Sequence, residues 1–325
     1  ADSAHGPAHR GRQVQVGASV GHALARPEDV SAEELIKRAD QTMYAAKRTR
    51  AAAGHRAIGH HDAAADRLIE ELRHAVDEVR LTVVYQPKVD LLTRRVVGVE
   101  ALLRWPHPDH GVLMPARFLP LVRSPELMTA VTDLVLGRAL DDVRRWRGSG
   151  ADVGVSVNVF APLMADLALP DRVSRALAER DLDPAVLTVE VTEDLPLGRI
   201  GPTRIVFNEL RRRGMRISID DFGAGYPALS YLCHLPIDEV KLDRNFIGPN
   251  RTNPRVGAVV RAVVTLAAEL GLTVVAEGTS DAETVARLIA WDIVIAQGDY
   301  LGTPVEARDV PGLIQRSAAG LGVAP

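Results

Sequence analysis

Eight short runs of apolar, β-branched residues recur along this chain, and segments of helix length separate most of them. No other feature of the sequence constrains the fold as strongly. The runs lie at 81–85 (LTVVY), 96–103 (VVGVEALL), 153–159 (VGVSVNV), 187–192 (LTVEVT), 216–220 (RISID), 239–242 (EVKL), 273–277 (TVVAE) and 293–297 (IVIAQ). Between them, 127–146, 171–180, 200–213, 254–270 and 281–290 are long enough for helices, several with amphipathic spacing. Strand alternating with helix over roughly 250 residues is the rhythm of a (β/α)8 barrel, an α/β fold of TIM type. Only residues 86–95 separate the first two runs, fewer than the ~12 that a parallel crossover needs. The first strand is therefore expected to run antiparallel to the rest, giving a modified barrel. An open doubly wound sheet shares this rhythm, but the count of eight favours closure.

The N-terminal part has a different texture. Residues 1–11 are small, polar and rich in His and Gly. Val14, Val16, Ala18 and Val20 then alternate with polar or small residues, the period of a half-buried strand. Ser31 with Glu34 forms a capping box before an apolar stripe of Leu35, Ile36, Ala39, Met43 and Ala46. One strand and one helix cannot bury both faces, so 1–52 reads as a partial α+β segment. Residues 53–65 read as a linker, 66–318 as the barrel and 319–325 as a tail. An apolar content of 46% suits a sizeable core, and a net charge of −3 gives no bulk attraction to DNA, RNA or an anionic membrane. One cysteine, Cys233, leaves no intramolecular disulfide and fits a reducing, cytoplasmic setting. No apolar run approaches the ~20 residues of a membrane helix. The chain opens at Ala1 without an initiator methionine and is expected to be a piece of a longer protein, any membrane tether lying outside it.

Seven of the eight runs carry a polar or charged residue within or at the end of an apolar stretch: Glu100, Asn158, Glu190, the Asp220–Asp221 pair, Lys241, Glu277 and Gln297. A lone strand-end carboxylate is more often a cap or a surface charge. Seven such positions need a common explanation, because a buried unpaired charge costs several kcal/mol. In a barrel enzyme the C-terminal strand ends converge on the active site. Carboxylates with an amide oxygen, and neither thiolate nor strand-end histidine, are hard ligands suited to Mg2+ or Mn2+. Adjacent aspartates suit a two-ion site, where one bridges and the other binds only the second ion. Lys241 would offset negative charge and hold a water or phosphate oxygen. After the aspartates, 222–226 (FGAGY) is a glycine-bearing loop able to approach the site closely.

The strings themselves resemble the EAL phosphodiesterase family. EALLRW (100–105) looks like its name-giving signature, with YQPKVD (85–90), VNV (157–159), EVTE (190–193), DDFGAGYPALSYL (220–232), KLD (241–243), AEG (276–278) and AQG (296–298) in the family's order over about 66–317. The resemblance implies a barrel with an antiparallel first strand. It also implies hydrolysis of one phosphodiester of cyclic di-GMP to linear pGpG with two Mg2+ or Mn2+ ions, and a homodimer through the face near 222–235. Carried over by residue, Glu100, Asn158, Glu190 and Asp220 are similar to ligands of one ion. By the same resemblance Asp220 is expected to bridge to the second, which Asp221 would also hold. Glu277 resembles the second-metal or water-activating carboxylate, Lys241 the lysine contacting the attacking water, and Gln297 a supporting hydrogen-bonding residue. Arg104 and Gln86 resemble substrate-binding residues, and Glu193 the glutamate that steadies the loop of 222–232. Departures fall at Ser280, Val294 and Asp299, where the family often has a glutamate, an aspartate and an aromatic, and at Ala224, where threonine is commoner. SVG (19–21) and ADQTMYAAK (39–47) resemble the end of a diguanylate cyclase (GGDEF) domain, whose nucleotide-binding signature this chain lacks.

Three functions compete on this reading: an active phosphodiesterase, a cyclic di-GMP receptor that no longer turns over, and a structural barrel. The intact set of presumptive ligands favours the first, since a receptor is expected to have lost one or more of them.

Overall fold

The computed structural model describes residues 63–193, 195, 200–223, 232, 234–247 and 254–319. The strand and helix expected within 1–52 lie outside these residues, as does the loop from 224 to 231. The chain divides into two units, 1–66 and 67–325. Of the first, only the start of a helix is described; residues 63–65 of the expected linker belong to the helix Ala63–Asp77.

The strands are β1 (Thr82–Asp90), β2 (Val96–His107), β3 (Gly111–Leu113), β4 (Gly154–Asn158), β5 (Leu187–Thr192), β6 (Arg216–Phe222), β7 (Glu239–Leu242), β8 (Thr273–Ala276), β9 (Ile295–Ala296) and β10 (Val305–Glu306). Eight of them close a barrel in the order β1-β2-β4-β5-β6-β7-β8-β9, with β1 pairing both β2 and β9. From β2 to β9 the neighbours are parallel, and β1 is antiparallel to both of its partners, as the short first connection requires. That connection is a tight turn. The Asp90 carboxylate accepts from the backbone N–H of Leu92 at 2.9 Å and Thr93 at 2.8 Å, and Arg94 takes φ 59°. β3 and β10 are short additions beside β2 and β1.

Helices cover the outside. The longest, Pro125–Gly148, starts where Ser124 accepts from the Leu127 N–H and proline occupies the first turn. Its stripe of Leu127, Val131, Val135, Ala139, Val143 and Trp146 is buried at helical spacing, each fully buried large side chain stabilising by about 1.5–3 kcal/mol. Ile200–Arg212, Pro254–Glu269 and Ala282–Ala290 follow β5, β7 and β8; Asp281 caps the last by accepting from Thr284 N–H. With helices outside, alternate strand residues such as Val189, Val191, Ile217, Ile219, Val240 and Leu242 are buried against them. The intervening residues of the same strands point into the barrel. There the fill is largely polar: Ser218, Glu190, Glu239, Lys241, Lys88 and Glu100 are all buried. No helix among the described residues is long and apolar enough to cross a membrane.

Candidate active site

The inward-facing positions near the C-terminal strand ends gather in one place. Glu100 lies within β2, directly across from Gln86 of β1. Asn158 ends β4 and stands beside Glu190 of β5. Glu277 and Gln297 are the first residues past β8 and β9. A cleft of about 660 Å3 opens over them, lined by Gln86, Glu100, Asp220, Asp221, Glu277 and Gln297 among others. A second hollow, of about 460 Å3, is lined by Arg211, Arg212 and Arg216 near the start of β6 and holds none of the candidate residues.

Beneath the carboxylates that line the cleft lies the ammonium of Lys241, whose side chain is fully buried. It makes ion pairs with Glu277 Oε1 at 2.7 Å, Glu190 Oε2 at 3.0 Å, Glu100 Oε2 at 3.1 Å and Asp220 Oδ1 at 3.1 Å. Burial works against its charge, but the four carboxylates hold its pKa well above the usual lysine value. The carboxylates respond according to how directly the lysines hold each one. Burial lifts Glu100 and Asp220 above the usual carboxylate range despite Lys241, and it pushes Glu277 up to about 8. Burial also acts on Glu190, yet Lys241 and Lys88 together draw it down to about 2.

Two groups of carboxylates have ligand oxygens within 4.8 Å of one another: Glu100, Glu190 and Asp220, and Asp220, Asp221 and Glu277. Asp220 belongs to both. Consecutive strand residues ordinarily face opposite sides, so an adjacent Asp pair needs a local device to serve one site. β6 supplies it. Its register with β7 shifts between Ile219 and Phe222, and Asp221 takes φ 55°, a conformation rare for a residue with a Cβ.

This donor set fits divalent cations. It is made of hard oxygens, and its carboxylates outnumber the lysine that balances them. Two buried polar atoms of cleft-lining residues, Gln297 Oε1 and Thr279 Oγ1, have no hydrogen-bond partner among the described residues. Asn158, more exposed, donates its amide N–H to Glu100 Oε1 at 2.7 Å, which places its side chain at the edge of the first group.

The other candidates divide. Gln297 donates to Glu100 Oε2 at 2.8 Å and to Gln86 Oε1 at 2.9 Å, and Gln86 donates on to the Gly302 carbonyl at 3.2 Å. A polar chain therefore runs from the rim to the carboxylates. Gly298, beside it, has φ 155°, and a Cβ there would lie 2.3 Å from the Thr279 backbone nitrogen. Glu193 Oε2 accepts from the Gly223 N–H at 3.0 Å, where a Cβ on Gly223 would strike Phe246 at 2.6 Å. The glutamate thus holds the backbone just past the end of β6. Arg104 stands apart from the cleft lining, its guanidinium donating to the Leu103 carbonyl at 2.8 Å. Of the family departures, Ser280 and Asp299 line the cleft, while Val294 is exposed.

Sequence reasoning missed two charged residues beneath the site, Lys88 and Glu239, both buried. Each sits two residues along the strand from a candidate, Lys88 from Gln86 and Glu239 from Lys241. The period-two rule would have found them.

The family described as EAL domain matches residues 69–304. The bifunctional diguanylate cyclase/cyclic di-GMP phosphodiesterase MucR of Pseudomonas aeruginosa is 35% identical over 302 residues, covering 92% of this chain and 44% of its own length. The cyclic di-GMP phosphodiesterase NbdA of the same organism is 34% identical over 299 residues, covering 91% of this chain and 38% of its own. This chain therefore spans less than half the length of either relative. Among solved structures, the PaMucR phosphodiesterase in complex with c-di-GMP superposes with a TM-score of 0.71 at 38% identity, covering 75% of this chain and 99% of that one. The EAL domain of Mycobacterium smegmatis DcpA gives 0.63 at 28% identity, covering 73% and 97%.

Proposed function

This chain belongs to the EAL domain family, and from that premise we propose that it is a phosphodiesterase that hydrolyses cyclic di-GMP to linear pGpG with two divalent cations, Mg2+ or Mn2+. The observation that carries the reading is the pair of carboxylate groups sharing Asp220. Glu100, Asn158, Glu190 and Asp220 would hold one ion; Asp220, Asp221 and Glu277 would hold the other. Bound there, the cations would activate water and neutralise charge on the phosphodiester. The remaining residues do the positioning. Lys241 keeps a fixed positive charge under the reacting phosphate. Glu277, half-buried like Asp220 and Asp221, would serve either as a ligand of the second ion or as the carboxylate that accepts a proton from the attacking water. Gln297 and Gln86 carry hydrogen bonding to the rim, where the substrate enters. Arg104 is assigned to substrate phosphate on the family resemblance alone.

The proposal has wider parts, each resting on less. The match to MucR runs over 302 residues, beyond the span 69–304, which supports reading 1–52 as the end of a GGDEF domain ahead of the linker. A homodimer near 222–235 and a cytoplasmic setting rest on the resemblance and on the sequence. A receptor that binds without cutting is the second reading, and the complete ligand set argues against it. Purified protein incubated with cyclic di-GMP and Mg2+ or Mn2+, with products separated by chromatography, decides between them. Linear pGpG is expected; ligand that is bound and recovered uncut would overturn the hydrolase.

A further inference from the structure

Lys88 is a buried charge that the proposed reaction does not use. It sits one inward step deeper on β1 than Gln86, opposite Gly98, which has no side chain to block its path across the barrel. Its ammonium donates to Glu190 Oε1 at 2.7 Å and to Glu239 Oε1 at 2.8 Å. Glu239 is held in turn by Ser218 Oγ at 3.0 Å and by Arg216 at 3.4 Å. Glu190 is consequently gripped from two sides. Its Oε2 faces Lys241, which also meets Glu100, Asp220 and Glu277, and its Oε1 faces Lys88 on the other side.

We propose that Lys88, fixed by Glu239, is a positioning residue that sets metal selectivity by turning Glu190 Oε1 away from the first carboxylate group, so that only Oε2, on the Lys241 side, reaches a cation. The proposal rests on the two-ion reading above. Mg2+ demands six ligands in near-octahedral geometry and is served by single carboxylate oxygens. Ca2+ takes six to eight ligands at longer distance and readily uses both oxygens of one carboxylate. A glutamate whose second oxygen is tied to a lysine is denied the two-oxygen mode, so the larger ion is disfavoured. Lys88 touches neither substrate nor reacting atoms and acts only through Glu190.

Lys88→Met alone would leave Glu239 without its lysine and invites misfolding. Lys88→Met with Glu239→Gln removes both charges and keeps Glu190 paired to Lys241. The loss of the electron paramagnetic resonance signal of free Mn2+ reports binding to the full chain, and displacement by Mg2+ or Ca2+ gives the two competing affinities. The preference for Mg2+ over Ca2+ should fall by about tenfold or more in the double variant, the range seen when a residue behind a ligand is lost. A merely structural role would weaken both ions by the same factor; an unchanged ratio in a variant that still binds Mn2+ overturns the inference alone. Absence of Mn2+ binding by the unaltered protein overturns the two-ion reading and this inference together.

Discussion

Two lysines stand inside the same barrel, and their surroundings differ in charge balance. Lys88, in the deeper layer, meets two carboxylates, and one of those, Glu239, is also held by Ser218 and Arg216. Lys241, just beneath the cleft floor, is shared by four carboxylates, with Asp221 adjoining the group. The deeper layer approaches neutrality within the protein. The floor does not, and burial raises Glu100, Asp220 and Glu277 because their charge is undercompensated. A fold selected for stability alone gains nothing from that deficit, since breaking even is the best a buried ion pair usually does. The difference marks one layer as a balanced support beneath the site and the other as a place where added positive charge would be stabilised.

The sharpest way to break this comparison is to remove a charge from each layer and see which property fails. Asp220→Ala takes away the carboxylate common to both groups, so hydrolysis of cyclic di-GMP should fall by more than about a thousandfold, at or beyond the loss of one strong electrostatic contact in an active site. Stability of the metal-free protein should hold or rise, because a like charge leaves a crowded group and Lys241 keeps three partners. Turnover within tenfold of the parent, or a clear loss of urea stability, would contradict the assignment. Glu239→Ala is the counterpart. It leaves Lys88 with only Glu190, and unfolding in urea should show a loss of about 3 kcal/mol, the lower end for breaking a buried pair because one partner remains. A neutral effect there would mean that the deeper layer is no more structural than the floor.

How much of this was readable in the sequence depends on what each residue interrupts. Glu100, Glu190, Asp220 and Lys241 break apolar runs, so they stood out, and the eight runs give the eight barrel strands within a few residues. The apolar signal of β1 covers only 81–85 and stops at Gln86, whereas the strand continues to Asp90 with Gln86 and Lys88 facing inward. Glu239 passed as the start of a strand for the same reason. A polar barrel interior inverts the usual rule that polar means outside, and only the spacing to Lys241 betrays it. The twist that turns Asp221 toward its neighbour's site could not be read, because two adjacent aspartates on an ideal strand diverge. The helices Ala63–Asp77 and Val310–Ala318 escaped for a plainer reason: they lie outside the alternation, before the first barrel strand and after the last. Arg104 was placed by resemblance, and its guanidinium here lies against its own strand, apart from the cleft lining.

The remaining test asks whether the charge deficit is met by cations, and it needs no substrate. A ligand that binds only the folded state at a hundred times its dissociation constant adds about 2.7 kcal/mol of stability. For a domain of this size that corresponds to a rise in Tm of about 5–10 °C. Chelated protein should therefore gain such a shift on addition of Mn2+, followed by calorimetry. The gain should largely vanish in Asp220→Ala, which cannot complete either carboxylate group, and should persist in Glu239→Ala, whose floor is intact. An equal shift in all three proteins would place the cations elsewhere on the molecule. Persistence in only the parent would mean that the deeper layer is part of the binding site itself rather than its support.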